Sequence, residues 1–274
     1  MASKNRAANR QDRRQGKTRN NEPLLRLVQD EAPTRHVRPS NRELKPLNAS
    51  QVAYDTAIQT GTITFGIGPA GTGKTWWAAS RAAEALKARK IERIIVTRPA
   101  VEAGESLGFL PGELDEKYEP YFRPVRDALE ETLGSGALEY HLKAGTIEAW
   151  PLAFLRGATI KNAWLIADEM QNASITQMKL LLTRIGENSK FIINGDPSQC
   201  DLPDRSKSGL EDAVLRLGHV GSIKTVRFGV QDIVRHGIVQ DIVNAYSGNA
   251  ADPESDRYVS DDTDGLHRVL RFHG

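Results

Sequence analysis

Thr62-Ile-Thr-Phe-Gly-Ile-Gly-Pro-Ala-Gly-Thr-Gly-Lys-Thr75 is the stretch on which the reading of this 274-residue chain turns. Its first half is a short β-branched and aromatic run of the kind that forms a buried strand. Its second half is Gly68, Pro69, Ala70, Gly71, Thr72, Gly73, Lys74 and Thr75. These residues satisfy the eight-residue phosphate-loop pattern, set between a strand and a helical stretch as that pattern requires. Glycines at 68, 71 and 73 let the backbone curl with its N–H groups inward, at a helix N-terminus whose partial positive charge favours an anion. Lys74 is then placed to reach the β and γ phosphates of a nucleotide, and the Thr75 hydroxyl to hold magnesium. The bland alternative is an ordinary glycine-rich turn, and the complete pattern in its proper context argues against it. Trp76 and Trp77 open the following helix. They read as packing residues before they read as a base-stacking platform, although Trp76 adjoins the loop and is counted with the cofactor-binding residues.

Outward from this loop, runs at 62–67, 93–97, 146–150, 163–167, 190–194 and 223–228 have strand character. Several are apolar throughout, which implies burial on both faces. Segments 74–89, 120–133, 174–185, 209–217 and 231–246 have helical length and spacing. The alternation predicts an α/β fold with a mainly parallel sheet flanked by helices. In such a sheet, ligands gather at the C-terminal ends of the strands. The run Ala163–Ala167 leads straight into Asp168-Glu169 at that edge. Asp168 is the candidate magnesium ligand, commonly through water, and Glu169 the candidate to polarise an attacking water. A strand followed by an acidic helix cap is the competing reading. Phe191–Asn194 ends in Gly195-Asp196-Pro-Ser-Gln199, where Gln199 can sense the γ phosphate or orient the water, while Asp196-Pro-Ser alone is a turn signal.

Charge divides the chain. Residues 1–45 hold 12 basic and 5 acidic side chains, and the rest hold 25 basic and 30 acidic, so the overall net charge of +2 hides a basic arm before a mildly acidic body. The first 22 residues carry no aliphatic side chain larger than alanine after Met1 and are expected to be disordered, either touching nucleic-acid phosphates or serving as a solubilising tail. Four prolines between 23 and 47 mark a lead-in, so 1–47 is assigned as arm and lead-in, 48–248 as the folded P-loop domain and 249–274 as an acidic linker and tail. Cys200 is the only cysteine, which excludes an internal disulfide and a thiolate zinc site, and a reducing cytoplasm is the expected home. No apolar run reaches the roughly 20 residues of a membrane span, and no signal peptide is visible.

With these motifs in order, the chain resembles the PhoH-like ATPases, whose core is similar to that of superfamily 1 helicases. The resemblance covers about 48–246. It rests on LNASQ at 47–51, GPAGTGKT at 68–75, TRPAVEAGESLGFLPG at 97–112, EPYFRPVRDAL at 119–129, PLAFLRGATIKNAWLIADEMQNAS at 151–174, QMKLLLTRIG at 177–186, GDPSQCDLP at 195–203, SGL at 208–210 and DIVRHGIVQDIVNAY at 232–246. It implies a RecA-like P-loop core, ATP and magnesium as cofactors, Gln51 on the adenine, Gln199 on the γ phosphate, and Arg235 as an arginine finger. Thr97 and Arg98 are implied as nucleic-acid phosphate contacts, with a buried Arg98 bracing its loop as the other reading.

Arg235 falls beyond the last strand, too far along the sequence to be assigned to its own P-loop, which predicts action on a neighbouring subunit and a homo-oligomeric ring, a hexamer. A surface salt bridge is the competing role for Arg235, and His236 is read as structural. The chain has length for one ATPase core where superfamily 1 helicases use two, so unwinding by a monomer is not expected. The segment ahead of the core is too short and basic for a nuclease domain, so no intrinsic nuclease activity is expected. Two functions follow: an ATPase coupled to single-stranded RNA or DNA, or an ATP-switched adaptor that recruits an RNA-processing nuclease. A small-metabolite kinase is disfavoured because no arginine-rich lid is visible.

Overall fold

Each apolar run read from the sequence forms a strand, and the strands are parallel throughout. The computed structural model describes residues 37–39, 43–99, 114–234 and 242, apart from the side chains of 114–121 and 206. The strands are β1 (Ile63–Ile67), β2 (Arg93–Arg98), β3 (Ile147–Pro151), β4 (Ala163–Ala167), β5 (Lys190–Gly195) and β6 (Ile223–Arg227), in the sheet order β3-β2-β4-β5-β1-β6. Pairing is in register along the ladder: Phe65 lies opposite Ile193 and Thr225, and Ile166 lies opposite Val96 and Ile192. The helices are α1 (Ala49–Thr60), α2 (Lys74–Lys87), α3 (Leu114–Leu133), α4 (Ser135–Lys143), α5 (Ile175–Leu182) and α6 (Gly209–Leu217).

Because strand side chains alternate between faces, the sheet divides its apolar residues into two cores. Ile94, Val96, Ile147, Ile166 and Ile192 face a cluster with Tyr54, Trp77, Val125 and Leu129 from α1, α2 and α3. Phe65, Ile95, Leu165, Phe191 and Ile193 face the other, with Met178 and Leu181 of α5 and Leu210 of α6. Ala78, Ala79, Ala82 and Ala83 of α2 are all fully buried. Their small side chains let the helix that carries the phosphate loop lie close against the sheet, fixing its N-terminus at the strand edge.

Differences from the sequence reading lie between the strands. Helix α1 is absent from that reading, which notices only its first turn; the helix is capped by Asn48, whose Oδ1 accepts from Gln51 N at 2.8 Å. Helix α4 is hidden in the sequence because Gly134, at φ 83°, is the only residue between it and α3. Helix α3 starts six residues earlier than expected, over the helix-forming Leu114–Glu119 stretch. Helix α5 stops at Leu182, where Thr183 turns its hydroxyl back onto the carbonyls of Lys179 and Leu180. The helix expected over 231–246 begins instead as a short turn at Val230–Asp232, and nearly all of its remaining length lies outside the described residues.

Gly66 in the middle of β1 marks a tight approach in the core. A Cβ there would lie 2.7 Å from Asn194 Oδ1 and 2.8 Å from the Tyr54 ring, both fully buried. Gly66→Ala is expected to destabilise the fold by about 1–3 kcal/mol. Thermal unfolding checks this, and an unchanged melting temperature would contradict the Tyr54–Gly66–Asn194 packing.

Candidate nucleotide and metal site

Three consecutive demands on the backbone shape the loop after β1. Gly68, Gly71 and Gly73 have φ of 144°, 84° and 86°. At Gly68 the absence of a side chain is obligatory in a second sense, since a Cβ would collide with the Phe228 carbonyl oxygen. Lys74 is the first residue of α2 and is only 8% exposed. Its ammonium donates to the carbonyls of Gly68 and Pro69, each at 2.8 Å, and to Thr72 Oγ1 at 3.2 Å. Burial lowers the Lys74 pKa, and Asp196, Asp168 and Glu169 oppose that shift. The ammonium is thus held in the loop by carbonyl dipoles and by carboxylates from two other strand ends.

Helix α2 next presents Thr75, whose hydroxyl lies 3.0 and 3.1 Å from the two carboxylate oxygens of Asp168. Asp168 follows β4 directly, and its N–H bonds the Thr97 carbonyl of β2 at 3.0 Å. Burial, reinforced by the neighbouring Glu169 charge, pushes its carboxyl from 3.8 up to about 6, against the pull of Thr75 and Arg98. A hydroxyl and a buried, poorly neutralised carboxylate are hard oxygen donors in contact, and they fit magnesium. Thr75 and Asp168 are therefore the residues that would hold it.

Glu169 departs from ordinary backbone geometry, with φ 54° and ψ 35° in the left-handed region. Such a conformation in a non-glycine residue costs about 1 kcal/mol or more and is over-determined by its surroundings here. Its Oε2 accepts from Gln171 Nε2 at 2.6 Å, and its Oε1 lies 3.7 Å from the Arg98 guanidinium. The sequence reading misses Gln171. It is 1% exposed, and its Oε1 accepts from Asp196 N at 3.0 Å, so one carboxamide ties the end of β4 to the end of β5. Gly195 makes room for it, as a Cβ there would be 2.8 Å from Gln171 Oε1. The only sequence signal is a glutamine two places after the acidic pair, with no apolar periodicity to explain it.

At the end of β5, Asp196 is more than a turn residue. Its carboxylate accepts from Ser198 N at 3.0 Å, Ser198 Oγ at 2.7 Å and the Gln199 carboxamide. Gln199 is thereby oriented beside the same cavity as Lys74 and Glu169.

Gln51 is 3% exposed and braces the loop: its Oε1 accepts from Leu47 N at 2.9 Å and its Nε2 donates to Thr72 O at 3.1 Å. A clasp that the sequence does not reveal lies nearby. Ser50 Oγ and Gly229 N both donate to Asp232 Oδ2 at 2.8 Å, and Val234 N donates to Gly71 O at 2.8 Å. Arg235 and His236 lie outside the described residues. The chain nonetheless reaches its own P-loop at Val234, one residue before Arg235. Sequence distance is therefore no argument for a neighbouring subunit. Thr97 is fully buried and has no surface to offer a phosphate, whereas Arg98 stays 26% exposed at its side chain. A cavity of about 1020 Å³ joins the parts, with Gln51, Ala70, Gly71, Gly73, Lys74, Thr75, Trp76, Asp168, Glu169 and Gln199 among its walls.

A family model described as PhoH-like protein matches residues 43–247. The chain belongs to the PhoH-like family. It is 44% identical over 244 residues to Protein PhoH of Escherichia coli K12, covering 87% of this chain and 69% of that protein. It is 48% identical over 205 residues to a PhoH-like protein of Bacillus subtilis strain 168, covering 75% and 64% respectively. A PhoH-like protein of Mycobacterium tuberculosis H37Rv is 47% identical over 206 residues, 75% of this chain, which spans 58% of that relative's length. Among solved structures, the large terminase of a thermophilic bacteriophage aligns over 73% of this chain and 50% of its own, with a TM-score of 0.43 and 12% identity. The Pif1 helicase of Candida albicans aligns over 77% and 46%, with a TM-score of 0.38 and 15% identity.

The raised Asp168 pKa has a measurable consequence for this PhoH-like fold. The folded state holds the Asp168 proton more tightly than the unfolded chain does, so ionisation opposes folding. That cost is absent below the ordinary value of 3.8, grows between there and about 6, and is fully present above about 6. Without divalent cation, Asp168→Asn should therefore be more stable than the wild type above about pH 6, by about 1–3 kcal/mol. The gain should fade as the pH falls toward the ordinary carboxylate value. Thermal unfolding across that range checks it, and a difference independent of pH would contradict the assignment.

Proposed function

We propose that this chain is a magnesium-dependent ATP hydrolase that couples hydrolysis to single-stranded RNA or DNA. The observation that carries the reading is the contact of the Thr75 hydroxyl with the Asp168 carboxylate beside the buried Lys74 ammonium. The loop and the acidic strand end converge there on one spot. Magnesium, which Thr75 and Asp168 would hold, would supply charge neutralisation for the phosphates. Loop N–H groups and Lys74 hold the phosphates. Glu169 accepts a proton from the attacking water, in an orientation set by its left-handed backbone and by Gln171. Gln199, fixed by Asp196, lies where it can orient that water or sense the γ phosphate.

Arg98 supplies the link to nucleic acid. Its guanidinium is partly exposed at the end of β2 and faces Glu169. A phosphate drawn to Arg98 competes with Glu169 for the same cation, so strand binding alters the environment of the catalytic carboxylate. The reading places the protein in the cytoplasm, and action of Arg235 on a neighbouring site would make it a homo-oligomeric, hexameric ring. Arg235 is its transition-state cation, serving its own or a neighbouring site. Among the described residues no helix is long and apolar enough to cross a membrane.

Steady-state ATP hydrolysis with and without single-stranded RNA and DNA at low salt tests the reading. A rise with one strand type is expected. A flat rate that responds only to an added RNA-processing nuclease would favour the adaptor instead. Lys74→Ala should abolish turnover and weaken nucleotide binding, whereas Glu169→Gln should retain binding and lose turnover by two or more orders of magnitude. Normal hydrolysis by Glu169→Gln would remove Glu169 from the water-activating role. Arg98→Ala should bring the ratio of stimulated to basal rate close to one. Mixing Lys74→Ala with Arg235→Ala protein separates the arginine assignments: recovered turnover places the arginine in trans, and none leaves it in cis.

A further inference from the structure

Charge is unevenly spread outside the nucleotide cavity as well. The stretches 149–162 and 170–186, on either side of β4 and its acidic end, contain no aspartate or glutamate, although 35 of the 274 residues are acidic. They hold Arg156, Lys161, Lys179 and Arg184. The two stretches meet in space, because α5 packs on the short turn Leu152–Leu155 that follows β3, and Ile160 N donates to Arg184 O at 2.8 Å. The acids at their outer ends are taken up, Glu148 by Arg93 and Glu187 by Lys161, each at 3.9 Å. Arg156, Lys179 and Arg184 have no ion pair among the described residues. Arg184 is nonetheless fixed: its guanidinium donates to Leu180 O at 3.2 Å, Ala158 O at 3.4 Å and Thr183 Oγ1 at 3.0 Å. Carbonyls and a hydroxyl hold it in place without cancelling its charge.

An aromatic ring stands in this cationic face. Leu152 and Leu155 are buried in the core, while Ala153, Phe154 and Arg156 turn outward, Phe154 with 58% of its surface exposed. Arg156 N donates to Ala153 O at 3.3 Å and Ala158 N to Leu155 O at 3.2 Å, so the ring is carried on a closed turn anchored by two core leucines. An exposed phenylalanine leaves unused about 1.5–3 kcal/mol of possible burial. The turn begins after Pro151, whose partner across the sheet is Arg98 of β2. The face therefore starts beside the guanidinium that looks onto Glu169.

Separated cations with no acid between them fit a ligand that repeats negative charge along its length, and a rigid ring among them fits one that carries flat faces between those charges. A protein partner would need a continuous apolar patch, and on these elements only Ile175 joins Phe154 as a large exposed apolar side chain. We infer that the face made by the Leu152–Leu155 turn and α5 is a track for single-stranded nucleic acid, with a base stacked on Phe154 and phosphates on Arg156, Lys179 and Arg184. The track deepens the nucleic-acid reading above and rests on it. Stacking meets a base by its face, so the track accepts any sequence, and it needs unpaired bases, so a duplex cannot use Phe154.

Fluorescence anisotropy with labelled strands of about 16 nucleotides tests the track at low salt. Phe154→Ala should weaken oligouridine or oligodeoxythymidine by about tenfold and leave an abasic strand and a duplex of the same length unchanged. Phe154→Trp should bind at least as tightly as the wild type, because it enlarges the ring. Arg156→Ala and Lys179→Ala should weaken every strand, abasic included, and each should lower the salt slope by about one. Equal affinity of the wild type and Phe154→Ala for the base-bearing strands would overturn the stacking, as would an equal loss on the abasic strand. Polyglutamate bound as tightly as the strands, with the same loss in Phe154→Ala, would give the face to an acidic protein instead. A wild type that binds no strand would remove the coupling to nucleic acid proposed above and the track with it, whereas strand binding indifferent to Phe154, Arg156 and Lys179 would remove the track alone.

Discussion

A buried ammonium in the field of three carboxylates is the constraint on which the rest of this molecule depends. Lys74 stands at the first turn of a helix, where the macrodipole already disfavours a cation, and it is almost completely removed from water. Burying such a charge alone costs several kcal/mol. Loop carbonyls at Gly68 and Pro69 and the fields of Asp168, Glu169 and Asp196 offset the loss. Those carboxylates come from the ends of β4 and β5, while the lysine follows β1. The sheet order sets β5 between β1 and β4, so all three strand ends must be adjacent for the charges to meet. Topology and electrostatics are one requirement here.

The same arrangement leaves a surplus of negative charge. Around Lys74, Asp168 and Glu169 adjoin each other, and burial, with the Glu169 charge beside it, pushes the Asp168 carboxyl up to about 6. A site in this condition is matched to a ligand that arrives with its own cation, as a nucleotide with magnesium does. Left-handed backbone also occurs at the site. Gly68, Gly71 and Gly73 absorb the positive φ that the loop demands, but Glu169 absorbs it with a full side chain. Surrounding hydrogen bonds hold it there, chiefly the Gln171 bridge to Asp196. Replacing Glu169 by glycine would relax the backbone and discard the one group that needs the unusual geometry.

Strands and phosphate loop were legible in the sequence for a simple reason: both are local patterns. Apolar runs such as Ala163–Ala167 and Phe191–Ile193 mean burial on two faces wherever they occur, and the loop's glycines sit in a fixed spacing. Asp168 and Glu169 were legible because a strand ending in acids can only present them at the sheet edge. Gln171, Asp196 and Asp232 were not legible in their present roles, because their partners are distant in sequence. Gln171 reaches 25 residues forward to Asp196 and Ser50 reaches 182 residues forward to Asp232. Thr97 and Arg98 show the limit from the other side. Adjacent in a strand, they point to opposite faces, and the pleat buries one while leaving the other at the edge.

The clasp between α1 and the segment after β6 changes how the loop should be viewed. A P-loop held only by its own strand and helix is free to adjust to a nucleotide. Here Gln51 pins Thr72 from one side and Val234 pins Gly71 from the other, and Asp232 locks those two braces together through Ser50. The loop is therefore pre-organised by residues from near both ends of the described fold, as the Ser50–Asp232 separation of 182 shows. Pre-organisation of this kind lowers the ordering cost of binding. It also couples the loop to the chain that continues from Val234. A shift of Gly71 acts directly on the Val234 N–H that its carbonyl accepts, so the loop and the chain at Val234 move as one.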